Sequence, residues 1–158
     1  MSQRKLRVGM VGGGGPANFF GGPHRRAILI DNSAELTAGA LRSNAEESIA
    51  SAKELFMSRG YASWEAMIKA EAGLPEAERI DYVTIVTPND AHFGPADAAA
   101  AAGIGVLCEK PLTTTLDEAR RLQARVRAKN VPFIVAYTYT GFPMLMLARE
   151  LVHNGDIG

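Results

Sequence analysis

Three sets of residues in this 158-residue chain bear groups that chemistry can use, and each set follows an apolar run. The first is the glycine cluster Gly12 to Gly15, directly after Leu6, Val8, Met10 and Val11. Backbone without Cβ atoms can turn sharply there and let an anionic group approach its N–H donors. The spacing Gly12-x-Gly14-x-x-Ala17 fits the G-x-G-x-x-G/A pattern that meets the pyrophosphate of a dinucleotide. Glycines after a strand also make ordinary tight turns. The second set is Arg42-Ser43, at the end of the second expected strand. NAD binders place Asp or Glu at that point, to hold both ribose hydroxyls. With no carboxylate there, Arg42 can pair with a 2′-phosphate and Ser43 can donate to it, which favours NADP. The alternative is that Arg42 stacks on the adenine of NAD. The third set is Thr87-Pro88-Asn89-Asp90-Ala91-His92, Glu109-Lys110-Pro111 and Tyr137-Thr138-Tyr139-Thr140-Gly141. Each lies at the carboxyl end of an expected strand, the edge where open α/β sheets bind ligands.

The elements that must position these residues alternate along the chain. Strands are expected at 6–11, 35–41, 81–87, 105–109 and 132–137, and the third has the near-continuous apolar content of a strand covered on both faces. Helices are expected between them. One runs about 23–30. Another starts at the N-cap Asn44, with Glu47 completing a capping-box pattern, and ends at Gly60; Ala45, Ile49, Ala52 and Phe56 are its apolar face. Ser63 caps a short helix with Trp64, Met67 and Ile68 on one side, stopping at Gly73. An alanine-rich helix spans 96–102. Thr115 and Glu118 start a helix reaching about Lys129, with Leu116, Ala119, Leu122 and Val126 buried. The last helix starts at Pro143, turns Met144, Leu147, Ala148 and Leu151 inward, and closes at Gly155. Strand and helix in alternation predict an α/β fold, a doubly wound parallel sheet of Rossmann type, as a single domain.

Composition narrows the function classes. Hydrophobic residues make up 47% and charged residues 22%, which is globular. Seventeen basic residues balance seventeen acidic ones, which argues against a general nucleic-acid or membrane-surface binder. The single cysteine, Cys108, forms no internal disulfide and reads as core packing in a reduced, cytoplasmic setting. No leader fits before the first strand, no apolar run reaches the roughly 18 residues of a membrane span, and no metal site is expected.

The glycine-rich turn, T-P-N-x-x-H and E-K-P, in that order and spacing, resemble the glucose–fructose oxidoreductase/inositol dehydrogenase (Gfo/Idh/MocA) family over all 158 residues. E-K-P is the most specific piece. The resemblance implies that Gly12, Gly14 and Ala17 face the pyrophosphate, and that Thr87, Pro88 and Asn89 lie beside the ribose and nicotinamide. It implies that Glu109 reaches a ribose hydroxyl and that His92 helps orient the cofactor or the loop; the alternative for His92 is a hydrogen bonder at a helix start. Lys110 is implied to lie near the substrate carbon that gives or takes hydride, where an ammonium can hydrogen-bond the reacting oxygen and stabilise charge on it. A solvated surface lysine is the alternative. Tyr137 and Tyr139 are either core and rim aromatics or substrate contacts. Pro16 in the turn, the lengthened path through residues 18–22, and Thr138 where close family members carry Asn are departures from the pattern.

The resemblance also implies a second domain that builds the substrate pocket, and 1–158 holds only the dinucleotide-binding domain. The chain is therefore expected to be the cofactor half of an oxidoreductase acting on a sugar, inositol or similar polyol. It should bind nicotinamide dinucleotide but transfer hydride poorly alone. An exposed apolar patch is expected, and with it self-association into a homo-oligomer. The alternative is a non-catalytic NADP-binding sensor or partner subunit. A methyltransferase with a similar glycine turn fits less well, because E-K-P has no role there.

Overall fold

The β-branched and apolar runs become strands and the capped segments between them become helices. The computed structural model describes residues 4–15 and 19–157, so Pro16 and Ala17 lie outside the described residues. In chain order the elements are β1 (Leu6–Gly12), α1 (Gly21–Leu29), β2 (Ala34–Ala40), α2 (Ala45–Glu54), β3 (Arg59–Gly60), α3 (Trp64–Ala72), β4 (Tyr82–Val86), α4 (Phe93–Ala101), β5 (Gly105–Glu109), α5 (Leu116–Lys129), β6 (Phe133–Ala136) and α6 (Pro143–Asn154). All strand pairings are parallel, in the order β3-β2-β1-β4-β5-β6. The order reverses between β1 and β4, so a crevice opens beyond their carboxyl ends. Met10 pairs with both Gly39 and Thr84, which brings the ends of β2 and β4 beside the glycine loop.

The two faces of the sheet are covered unequally. On one face Met67, Ile80, Val83, Ile85, Ala96, Val106, Cys108 and Leu122 form one continuous core beneath α3, α4 and α5. On the other, α1 and α2 cover the β1–β2 half, through clusters around Met10 and Val8. Among the described residues the β5–β6 part of that second face is less covered: Ile134 is exposed, and Leu107 and Ala136 are only half-buried. The expectation of helices on both faces holds for the sheet centre and fails at β6.

Several expected helix faces differ from what forms. Asn44 caps α2, its side chain accepting from the Glu47 amide. The helix ends at Glu54, however, and Phe56 takes a left-handed turn (φ 56°) into β3. Ile49 and Phe56 are exposed, while Ser48, Ser51 and Ala52 are buried. Both serines have partners that offset their polarity. Ser48 Oγ donates to the Tyr61 carbonyl (2.7 Å) and accepts from the Leu41 amide (2.9 Å); Ser51 Oγ accepts from Arg42 Nε (3.1 Å). Gly60 lies in β3 and does not end the helix. Thr115 caps α5 as expected, accepting from the Glu118 amide, but Leu116 in the first turn stays exposed. In α6 no residue is fully buried, and Met144 and Leu147 are exposed although expected inward.

One buried ionic knot fixes the β3 edge. Glu71 is wholly buried and accepts from Arg59 Nε (2.7 Å), Arg59 Nη2 (2.9 Å), the Tyr61 hydroxyl (2.9 Å) and the Ile80 amide (3.0 Å). Burial, with the bond to Glu71, raises the Tyr61 phenol from its ordinary value, so it stays a donor at neutral pH. Glu71→Gln keeps the shape and removes the charge. It is expected to cost about 2 kcal/mol of stability, because the charge-assisted fork is lost inside the protein. Urea unfolding measures this; a change under about 0.5 kcal/mol would show that the knot contributes nothing net.

Candidate functional site: the glycine loop and the carboxyl edge of the sheet

β1 ends by running its backbone into the switch point. Gly13 has φ 75°, and a Cβ there would meet the Met10 and Val86 side chains at 2.5 and 2.6 Å. A Cβ on Gly14 would meet Leu41 Cβ at 2.8 Å and the Leu41 carbonyl oxygen at 2.9 Å. The loop is tied to the end of β2 by the Gly14 amide, which donates to that carbonyl (3.2 Å). The bare backbone therefore lies against the ends of β2 and β4 in a way no side chain would allow. Arg25, one turn into α1, donates to the Gly13 carbonyl. Burial, with Arg26 beside it, lowers the Arg25 guanidinium from its ordinary value.

Arg42 leaves the end of β2 and lies across the loop, since a Cβ on Gly15 would collide with its Nη2. Its guanidinium is held from behind by Ser51 Oγ (3.1 Å) and loosely by Glu47 (3.5 Å). Ser43, next along, is exposed at the same edge. The structure thus brings Arg42 together with Gly14 and Gly15 on the β1–β2 side of the crevice, while Gly12 packs against Thr87 and Val86 at the end of β4.

Across the switch point, β4 ends in Thr87, whose hydroxyl donates to the Ala91 carbonyl (3.2 Å). Pro88 and Asn89 are exposed at the start of a single 3₁₀ turn, Asn89–Ala91. His92 is fully buried, and its ring stands between two backbone carbonyls. Nδ1 is 2.7 Å from the Pro111 oxygen and Nε2 is 3.0 Å from the Thr87 oxygen. It clamps the loop after β4 to the loop after β5, and the ring presents no surface of its own to a ligand.

Glu109 and Lys110 end β5. Glu109 Oε2 accepts from the Lys110 amide (3.1 Å), while Oε1 lies 2.9 Å from His24 Nε2. Lys110 Nζ stands 5.3 Å from the centre of the Phe20 ring, a cation–π distance. Lys110 is therefore half-buried and directed, not a freely solvated lysine. Sequence reasoning missed Phe20 and His24. No local signal marks either residue, because His24 meets Thr84 and Glu109 across 60 and 85 residues of sequence.

Two further groups border this edge. Cys108 is buried beside Glu109, and burial, aided by that carboxylate, pushes its thiol up to about 12. The thiolate that reacts is therefore essentially absent at neutral pH. Iodoacetamide is expected to leave Cys108 unmodified in the folded chain and to alkylate it in denaturant, as intact-mass measurement would show. Modification of the folded chain at the denatured rate would contradict this packing role. Along the open sheet face, Phe19, Phe20, His24, Ile134 and Tyr137 help line a groove of about 830 Å³. Tyr137 and Tyr139 are rim aromatics, exposed and not in the core. Among the described residues no helix is long and apolar enough to cross a membrane.

A family model described as "Oxidoreductase family, NAD-binding Rossmann fold" (GFO_IDH_MocA) matches residues 6–137. The chain belongs to the Gfo/Idh/MocA oxidoreductase family. A solved oxidoreductase from Sinorhizobium meliloti is 43% identical, with a TM-score of 0.88 over 99% of this chain and 43% of its own. An inositol dehydrogenase homologue from Azotobacter vinelandii, solved with NADH and myo-inositol, is 35% identical with a TM-score of 0.90, over 98% of this chain and 41% of its own. Levoglucosan dehydrogenase from Pseudarthrobacter phenanthrenivorans is 31% identical over 98% of this chain and 39% of its length. The chain thus spans about two-fifths of these relatives, and the part it spans is the Gfo/Idh/MocA nucleotide-binding domain, with the single Rossmann-type sheet its sequence predicts.

Proposed function

We propose that this chain is the cofactor half of an oxidoreductase that moves a hydride between a nicotinamide dinucleotide and a hydroxyl-bearing carbon of a sugar, inositol or similar polyol. The observation that carries the reading is the division of the crevice. The glycine loop and Arg42 stand on the β1–β2 side, and Glu109 and Lys110 stand on the β4–β5 side. Doubly wound sheets bind the two mononucleotide halves of a dinucleotide on opposite sides of such a switch point.

In this reading the backbone of Gly12 and Gly14, with Ala17, takes the pyrophosphate, and Thr87, Pro88 and Asn89 flank the nicotinamide half. Arg42 and Ser43 take the 2′-phosphate of NADP. Bound there, the dinucleotide would supply the hydride acceptor or donor. Lys110 hydrogen-bonds the reacting oxygen, stabilises charge developing on it and exchanges its proton. Phe20 holds the ammonium over its ring and limits its wandering. His92 acts at one remove, by fixing the two loops that carry Thr87 and Pro111. A second domain, as the family resemblance implies, completes the substrate pocket. The exposed apolar residues of α6 and β6 fit such a partner surface.

The test is turnover set against binding. The 158-residue chain is incubated with NADP+ and a panel of sugars and inositols, and reduced nicotinamide is followed by absorbance. Saturable nucleotide binding with turnover close to background is the expected result. Robust turnover by this chain alone would contradict the claim that the pocket is incomplete.

A further inference from the structure

We propose that His24 is a positioning residue for the nicotinamide half of the site, acting through Glu109; this rests on the dinucleotide reading above. His24 belongs to α1, the helix that follows the glycine loop and packs on the β1–β2 half of the sheet. Its ring nevertheless reaches across the switch point. Nδ1 lies 2.8 Å from Thr84 Oγ1 at the centre of β4, and Nε2 lies 2.9 Å from Glu109 Oε1 at the end of β5. The His24 and Glu109 side chains are only 11% and 9% exposed, and Thr84 is fully buried.

The chemistry of the three groups fixes their roles. An ionised carboxylate only accepts, so Nε2 carries the hydrogen directed at Glu109. The Thr84 hydroxyl can donate or accept, so it satisfies Nδ1 whichever way the ring is protonated. A carboxylate as enclosed as Glu109 must have its oxygens partnered, and His24 supplies the partner for Oε1 while the Lys110 amide supplies that for Oε2. With His24 removed, Glu109 keeps one partner in an enclosed place and turns towards the open groove. The Lys110 amide then loses its acceptor. The glycine-loop helix and the strand end bearing Lys110 are thereby built as one unit. Phe20, the residue that caps the start of α1 and whose carbonyl accepts from the His24 amide (3.3 Å), meets Lys110 with its ring.

The experiment separates the two halves of the nucleotide. Calorimetric titration of the full 158-residue chain uses NADP+ and, separately, 2′-phospho-ADP-ribose, which lacks the nicotinamide; NAD+ and ADP-ribose replace them if NAD+ binds more tightly. For His24→Leu the intact dinucleotide is expected to bind about tenfold more weakly and the truncated one within about twofold of the unaltered chain. His24→Gln, whose amide still donates to Glu109, should recover most of the loss. In a chain already carrying Glu109→Ala, adding His24→Leu should change binding by less than about twofold, because the two act through one contact. Equal weakening of both ligands would overturn the proposal, since it would mark general damage to α1. Full additivity with Glu109→Ala would overturn it too. If the unaltered chain binds neither ligand, the dinucleotide reading fails first and the role of His24 falls with it.

Discussion

Gly14→Val is expected to reduce dinucleotide affinity about 30- to 1,000-fold, roughly 2–4 kcal/mol. The magnitude comes from two losses. A Cβ at this position meets the side chain and the backbone carbonyl of Leu41 at 2.8 and 2.9 Å, and backbone cannot swing away as a side-chain tip can. Forcing atoms into such a place costs about 1–3 kcal/mol. The shift that relieves the clash also breaks the bond from the Gly14 amide to Leu41, worth about 1 kcal/mol more. The loop then moves off the end of β2, and the bare backbone no longer faces the crevice. Leu41 belongs to the core cluster around Met10, so the melting temperature should fall as well. Calorimetry alongside a melting curve checks both. Undiminished binding would mean that the nucleotide does not use this loop.

Arg42→Ala is expected to weaken NADP+ binding by about 10- to 100-fold while changing NAD+ binding by less than about threefold. A charge-assisted bond to a phosphate contributes about 1.5–3 kcal/mol, and NAD has no phosphate at that position. The guanidinium is already set across the loop by Ser51, so little freedom is lost when it engages an anion. Equal weakening of both nucleotides would assign Arg42 to adenine stacking instead. Parallel titrations at two salt concentrations add an independent reading, because a phosphate contact weakens as ionic strength rises.

Much of this architecture is legible in the sequence because its signals are local. Asn44, Ser63 and Thr115 each accept from the amide three residues on, as capping predicts, and Gly155 closes α6 with φ 79°. The strand at 105–109 forms with the bounds its apolar run implies. What escaped depends on partners distant in the chain. β3 is two residues long and exists because Arg59 and Gly60 pair with Ala38 and Gly39, so no apolar run announces it. The buried face of α2 is Ser48, Ser51 and Ala52, because those serines bond to the ends of neighbouring loops; hydropathy pointed instead to Ile49 and Phe56. Leu116, Met144 and Leu147 read as inward-facing from periodicity alone, yet all three stay exposed. The site divides in the same way. Gly12, Gly14, Arg42, Glu109 and Lys110 announce themselves by type and by their place at strand ends. His24 is visible only once α1 is laid over β4 and β5, where Thr84 and Glu109 meet it.

The most direct measurement is calorimetric titration of the 158-residue chain with NADP+ and, separately, with NAD+. Saturable binding of both, with NADP+ the tighter, is the result this account predicts. Tighter NAD+ binding would keep the site and overturn the role given to Arg42, and binding of neither would contradict the central claim that the glycine loop and the β5 edge form a dinucleotide site in this chain.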